Sequence, residues 1–301
     1  MDDKGWLPYA ALGVGVFAIS WSAILIREAP APALVIACLR MVFAGAPMGA
    51  LAFVQHRRAP QTIPMSTVGP MVLSAAFLAA HFAFWVTSLE HTSVATSVVL
   101  VAAQPLYVAA ASPFVLGERI EGRVWVAIGV ALAGALMMAS EDIGDGLGTL
   151  AGDAYAALGG AAAAGYFMIG RRVRPSVPWL RYVGTVYPLC AAMLIAVALI
   201  GGESFGGHPG KAYLLIAILA IGPQLIGHSS INWTLAVLPA VVVSIAILME
   251  PVITTGLATF ILDEYPSVIE VLGGTLVLAG VYLALRPERE RRLAAEISSA
   301  D

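Results

Sequence analysis

Apolar residues run along this chain in long, nearly unbroken blocks rather than in one-sided stripes. Cutting at charged, Gly-rich and Pro-rich punctuation predicts helices at Leu7–Ile26, Pro32–Val54, Ser66–Leu89, Thr92–Leu116 and Gly122–Ser140. The same cut predicts five more at Leu150–Gly170, Leu180–Ile200, Ala212–Leu235, Pro239–Leu262 and Pro266–Leu285. Each comes close to the ~20 mostly apolar residues that a helix needs to cross hydrocarbon. The runs are too continuously apolar for the alternating strands of a membrane barrel. The pattern therefore reads as an all-α integral membrane protein of ten transmembrane helices joined by short connectors.

Composition agrees. Of 301 residues, 59% are hydrophobic and only 12% charged, where a soluble chain carries roughly 25% charged residues. The connectors leave no room for a soluble catalytic or nucleotide-binding domain. No basic patch interleaved with aromatics exists, so nucleic acid is excluded as a partner. Cys38 and Cys190 both fall inside apolar blocks and read as small buried side chains, not as a disulfide or metal site. The first block also reads as a retained span. Asp2 and Asp3 outnumber Lys4 where a secretory signal would be positive, and Leu7–Ile26 exceeds the usual length of a signal's apolar core.

The placement of basic residues orients the spans. With this cut, thirteen of the sixteen Lys and Arg lie on the side of the N-terminus, while Arg27 and Lys211 lie opposite and Arg40 sits inside a span. The positive-inside rule then puts both termini in the cytoplasm of a bacterial-type inner membrane.

The sequence also repeats. An offset of 146 residues superimposes Pro105 on Pro251, Phe114 on Phe260, Leu116 on Leu262, Glu118 on Glu264, and Leu132-Ala133-Gly134 on Leu278-Ala279-Gly280. An offset of 145 superimposes Trp21 on Tyr166, Ile24 on Ile169, Arg27 on Arg172 and Pro30 on Pro175. Residues 1–140 form the first unit, 141–149 a connector, 150–285 the second unit and 286–301 a tail. Five spans is an odd number, so the two units enter the membrane in opposite directions. The connectors reflect this: Gln55–Arg58 and Gly117–Arg123 carry Arg, whereas their counterparts Gly201–Gly207 and Asp263–Tyr265 carry no Lys or Arg. Inverted repeats that hold a site between them at the midplane are a common construction of secondary transporters.

Gln104-Pro105-Leu106-Tyr107, then Phe114–Glu118 and Gly129–Gly134, recur as Glu250-Pro251, Leu262-Asp263-Glu264 and Ala279-Gly280. This doubled pattern resembles the EamA type of the drug/metabolite transporter superfamily, across essentially the whole chain. The resemblance implies a carrier of two inverted five-helix repeats around a central cavity, and YddG-type amino-acid exporters are the nearest structural comparison within it. It implies export of amino acids or related metabolites by alternating access. Efflux of drugs or other metabolites and channel-like facilitation are the alternatives. No cofactor or metal is implied; the partners are a small-molecule solute, the bilayer and, for a coupled carrier, protons. Nothing in the sequence demands a dimer, so a monomer is expected.

Polar side chains inside spans are costly and default to functional candidates. Glu250 lies near the middle of the ninth span, directly before Pro251. It reads as a proton-coupling carboxylate, as a counter-charge for a substrate ammonium, or as a protonated acid bonded to the Ile247 carbonyl that the proline frees. Gln104 holds the equivalent slot in the first repeat. Arg40 reads either as an attractor of a substrate carboxylate or as a structural Arg snorkelling outward or meeting helix-end carbonyls. Phe77, His81, Trp85 and Ser88 share one face of the third span, and Gln224, His228 and Asn232 one face of the eighth. Both faces are expected to line the solute path, with interhelical hydrogen bonding as the alternative. Tyr107 and Tyr166, with Trp21 and Trp85, are candidate cavity aromatics. Pro105 and Pro251 are candidate hinges, and Gly45, Gly49, Gly129 and Gly134 candidate close-approach points.

Enzyme readings fare poorly. Gly227-His228-Ser229-Ser230 is a short match to the surroundings of an intramembrane serine nucleophile, with His81 as a conceivable base. No His-Glu-x-x-His motif is present, and Gly144–Gly148 lacks the Lys and the strand-to-helix setting of a phosphate loop. A non-enzymatic carrier is expected.

Overall fold

The computed structural model describes residues 6–60, 63–92, 94–140, 150–261 and 265–285. All regular structure among them is helical: α1 Leu7–Ile19, α2 Ser22–Glu28, α3 Ala33–Arg58, α4 Val68–His91, α5 Val94–Ala102, α6 Gln104–Val115 and α7 Gly122–Ala139. The second half holds α8 Leu150–Val173, α9 Trp179–Ile200, α10 Gly210–Leu219, a π-helical segment Ala220–His228, α11 Ser229–Thr234, α12 Ala240–Ile247, α13 Met249–Ile261 and α14 Val268–Leu285. Seven helical stretches among the described residues are long and apolar enough to cross a membrane, and Gly122–Met138 and Val268–Ala284 are shorter apolar helices. The connector 141–149, the tail beyond Leu285 and the predicted turn at Asp263-Glu264 lie outside the described residues.

Four predicted spans are interrupted. The first breaks after Ile19, where the Ser20 hydroxyl donates back to the Val16 carbonyl and the Thr254 hydroxyl donates to the Ser20 carbonyl. Such back-bonding weakens the helical ladder without a proline. The fourth and ninth break at Ala103 and Leu248, just before Pro105 and Pro251, because a proline cannot donate to the carbonyl four residues earlier. The eighth widens into the π-helical turn around Pro223. One expected connector is helix instead: Gln55–Arg58 is the last turn of α3, where cations favour the carbonyl end of the helix dipole.

The helices pack in pairs that mirror each other across the two repeats. A Cβ built on Gly134 of α7 would lie 2.4 Å from the Gly273 carbonyl and 2.7 Å from the Val277 nitrogen of α14. A Cβ on Gly280 of α14 would lie 2.7 Å from both the Ala127 carbonyl and the Ala131 nitrogen of α7. The 146-residue offset converts each of these contacts into the other, so α7 and α14 cross about a two-fold axis and run antiparallel. Antiparallel too are α3 with α9, where Gly45 and Gly49 meet Tyr187 and Pro188 and Gly184 meets Met48 and Ala52. The pair α4–α8, closed at Gly152, Gly159 and Gly165, has its counterpart in α1 against the π segment and α11, closed at Gly15 and Gly227. Gly129, expected at a close contact, meets nothing within 4 Å. Cys38 and Cys190 are both buried thiols.

Candidate functional site

All four interruptions converge on one cavity. Its wall takes Ile19 and Ser22 from the break between α1 and α2, and Val101, Ala102 and Gln104 from the break between α5 and α6. Ile247 and Glu250 come from the break between α12 and α13, and His228 from the end of the π segment; α4 adds His81 and Trp85, and α8 adds Ala163, Tyr166 and Phe167. The space between the wall atoms is about 480 Å³, including open space at the mouth. Non-helical backbone is tolerated at membrane depth where it lines a cavity inside the protein, which accounts for where the ladders break. Six predicted residues thus meet here: His81, Trp85, Gln104, Tyr166, His228 and Glu250.

Their surroundings differ. The Nδ1–H of His81 donates to the Gly159 carbonyl over 2.9 Å, if that nitrogen carries the ring's proton, and the ring stacks on Trp85 at 5.6 Å. His228 stands 6.4 Å from His81 and edge-on to Phe82 at 5.4 Å. An offset of 147 residues superimposes His81 on His228, so the two rings are repeat equivalents that meet between the halves. The indole Nε1 of Trp85 and Nδ1 of His228 are buried without a protein partner. No N–H or O–H donor of a described residue is bonded to the Glu250 carboxylate.

Arg40 does not snorkel. It is fully buried, donates from one terminal nitrogen to the Gln224 Oε1 over 2.9 Å, and lays its guanidinium 4.1 Å from the centre of the Phe82 ring. A planar cation suits an aromatic face. No carboxylate of a described residue lies within ion-pair distance of Arg40. Arg40 packs on Phe82 and is not among the residues of the cavity wall.

Four further candidates stand off the wall. Gln224 is on the predicted face but turned away from the cavity, as the acceptor that holds Arg40. Asn232 is also buried off the wall: its amide donates to the Tyr166 and Tyr187 hydroxyls, and the Tyr187 and Ser229 hydroxyls bond each other. It holds the hydroxyl of Tyr166, whose ring is on the wall. Tyr107 is 38% exposed and takes no part in the wall, because the turn that begins α6 at Gln104 carries it outward. Trp21 likewise stands off the wall. Sequence reasoning missed Phe82, Tyr187, Ser22 and Phe167. Phe82 and Tyr187 are apolar or aromatic residues next to polar faces, and aromatic type alone does not separate them from lipid-facing neighbours.

The bundle is tied at both ends of the cavity. Where α6, α8 and α11 finish, Arg171 pairs with Glu118 at 3.1 Å and donates to the Leu235 and Ala236 carbonyls. At the other end, the Thr92 hydroxyl donates to Asp153, the Ala33 N–H donates to Glu90, and Lys211 pairs with Glu28.

Comparison with known proteins follows this geometry. A solved crystal structure is 18% identical and aligns over 93% of this chain and 97% of its own, with a TM-score of 0.75; at that identity it shows the shared fold alone. No curated protein matches the chain. The EamA-like transporter family model matches twice, over residues 4–140 and 150–286, and so takes in both repeats and every wall residue. The chain belongs to the EamA-like transporter family, and is a multi-pass membrane protein of the drug/metabolite transporter superfamily.

Proposed function

We propose that this protein is a secondary carrier that exports amino acids or related small metabolites by alternating access, in the manner of YddG-type exporters. The observation that carries the reading is the cavity itself. Two repeats each contribute a proline-broken helix to one wall, and polar side chains from both repeats, among them Gln104, His81, His228 and Glu250, meet on it. Antiparallel pairing of equivalent helices favours ten spans in two inverted repeats, with both termini cytoplasmic by the positive-inside rule. Rocking of one repeat against the other, with the bonds at Arg171–Glu118 and at Thr92–Asp153 broken in alternation, would expose the same wall to each side. The inner membrane is the expected location, and a monomer contains the whole site.

The test is reconstitution of the purified protein into liposomes, with uptake of a labelled amino-acid panel measured with and without a pH gradient. Saturable uptake, competed by other members of the panel, is the expected result, and its response to the gradient separates a proton antiporter from a facilitator. Uptake no greater than in empty liposomes would remove amino acids as the substrate class.

A further inference from the structure

The wall of the cavity carries hydrogen-bond acceptors from both repeats but no permanent cation among its described residues. Glu250 supplies its one carboxylate, and no Lys or Arg is among its described lining residues. The buried cation Arg40 is not among the wall residues and lays its guanidinium on the Phe82 ring. Backbone adds to the acceptors. Pro251 has no N–H, so the Ile247 carbonyl loses its helical donor, and Ile247 lines the same wall one turn before Glu250. The first repeat repeats the device with Pro105 and Val101, but there the α8 backbone covers the carbonyl: a Cβ on Gly160 would lie 2.9 Å from the Val101 oxygen. The two repeats are thus unequal, with a neutral amide on one side and an acid on the other.

We propose that the Glu250 carboxylate, the Ile247 carbonyl and the Gln104 amide oxygen form an ammonium subsite, with the Trp85 ring against its apolar flank, so that the solutes carried bear a primary ammonium group. A primary ammonium presents three N–H donors and no acceptor. Taken out of water, it needs an acceptor for each donor and an anion for its charge; the three oxygens and the one carboxylate match that demand. The indole face adds cation–π attraction. By this account the solute's carboxylate is dispensable and its amine is not. The inference rests on the carrier reading for its physiological meaning, but binding and carriage are measured separately.

The experiment measures equilibrium binding to the purified full-length protein in detergent, with L-alaninamide, L-alanine and N-acetyl-L-alaninamide as probes. The last is the first with its amine capped and its charge removed. Alaninamide and alanine are expected to bind saturably, and the capped amide not at all at about tenfold higher concentration. Glu250→Gln should weaken alaninamide by about tenfold or more, with Glu250→Asp recovering part of the loss. Gln104→Glu, which adds a second acid, should favour cationic alaninamide over zwitterionic alanine. Thermal melting of each variant reports folding, and the capped amide keeps the test valid on the unaltered protein. The proposal is overturned if the capped amide binds as well as the free amine, or if no amine binds. It is equally overturned if well-folded Glu250→Gln binds within about twofold of the parent, or if sodium ions displace the amine through Glu250 as a metal-cation site would. Liposomes that carry a non-amine solute saturably would sink this proposal and leave the carrier standing. Amine binding with no transport of any solute would do the reverse.

Discussion

Gly134→Ala tests the two-fold packing of α7 on α14 most sharply, because the structure supplies its own control. The new Cβ would lie 2.4 Å from the Gly273 carbonyl and 2.7 Å from the Val277 nitrogen, both backbone atoms. Ordinary contact needs about 3.4 Å, so the two helices must separate by roughly 1 Å or the turn must deform; overpacking of this kind costs about 1–3 kcal/mol. Any Gly→Ala change in a helix also gains up to ~1 kcal/mol of intrinsic propensity. Gly129→Ala on the same helix receives the same gain but meets nothing within 4 Å, so the difference between the two variants isolates the overpacking. Reversible unfolding in mixed micelles, with denaturing detergent as the titrant, should place Gly134→Ala about 1–3 kcal/mol below Gly129→Ala. The inverted equivalent, Gly280→Ala, should fall below the control as well, since its Cβ would meet Ala131 and Ala127 at 2.6 and 2.7 Å. Stabilities of Gly134→Ala and Gly129→Ala within ~0.5 kcal/mol of each other would refute the close antiparallel crossing.

The remaining predictions follow from single contacts. Gln224→Met removes the acceptor of Arg40 and should destabilise the protein by about 1–3 kcal/mol in the same unfolding assay; an unchanged midpoint would show that Phe82 alone holds the guanidinium. Ser74→Ala and Tyr182→Phe each break the buried 2.6 Å hydroxyl bond, so a double-mutant cycle should show coupling of about 1 kcal/mol rather than additivity. Pro251→Ala returns an N–H to the Ile247 carbonyl and should preserve or raise stability while lowering transport, since the break that opens the wall is healed. Normal transport in that variant would mean that the break is incidental to function.

Much of this architecture was legible because its causes are local. Proline chemistry marked the breaks before Pro105 and Pro251, and periodicity put His81, Trp85 and His228 on inward faces. The break after Ile19 was not legible: it arises from a serine back-bond and from Thr254, more than two hundred residues away. The π segment also escaped notice, because one extra residue per turn leaves no compositional trace. Arg40 was recognised as exceptional, but its partners were not legible. Its fate depends on Phe82 and Gln224, which reach it from two other helices, and a one-dimensional pattern carries no sign of either. Tyr107 was assigned by residue type, where helix rotation decides which way it faces, and it stands off the wall. The encounter of His81 and His228 was present in the sequence as an offset of 147 residues, one more than the offset that aligns the following spans.

Counterflow tests the central claim, that one cavity between the repeats binds solute and faces each side in turn. Proteoliposomes loaded with unlabelled L-alanine are diluted into a trace of labelled L-alanine, and internal label is followed over time. The account predicts a transient overshoot of label above its equilibrium level, strongest when the internal pool is saturating, because a carrier must return loaded. Monotonic entry with no stimulation by the internal pool would contradict alternating access and describe a pore.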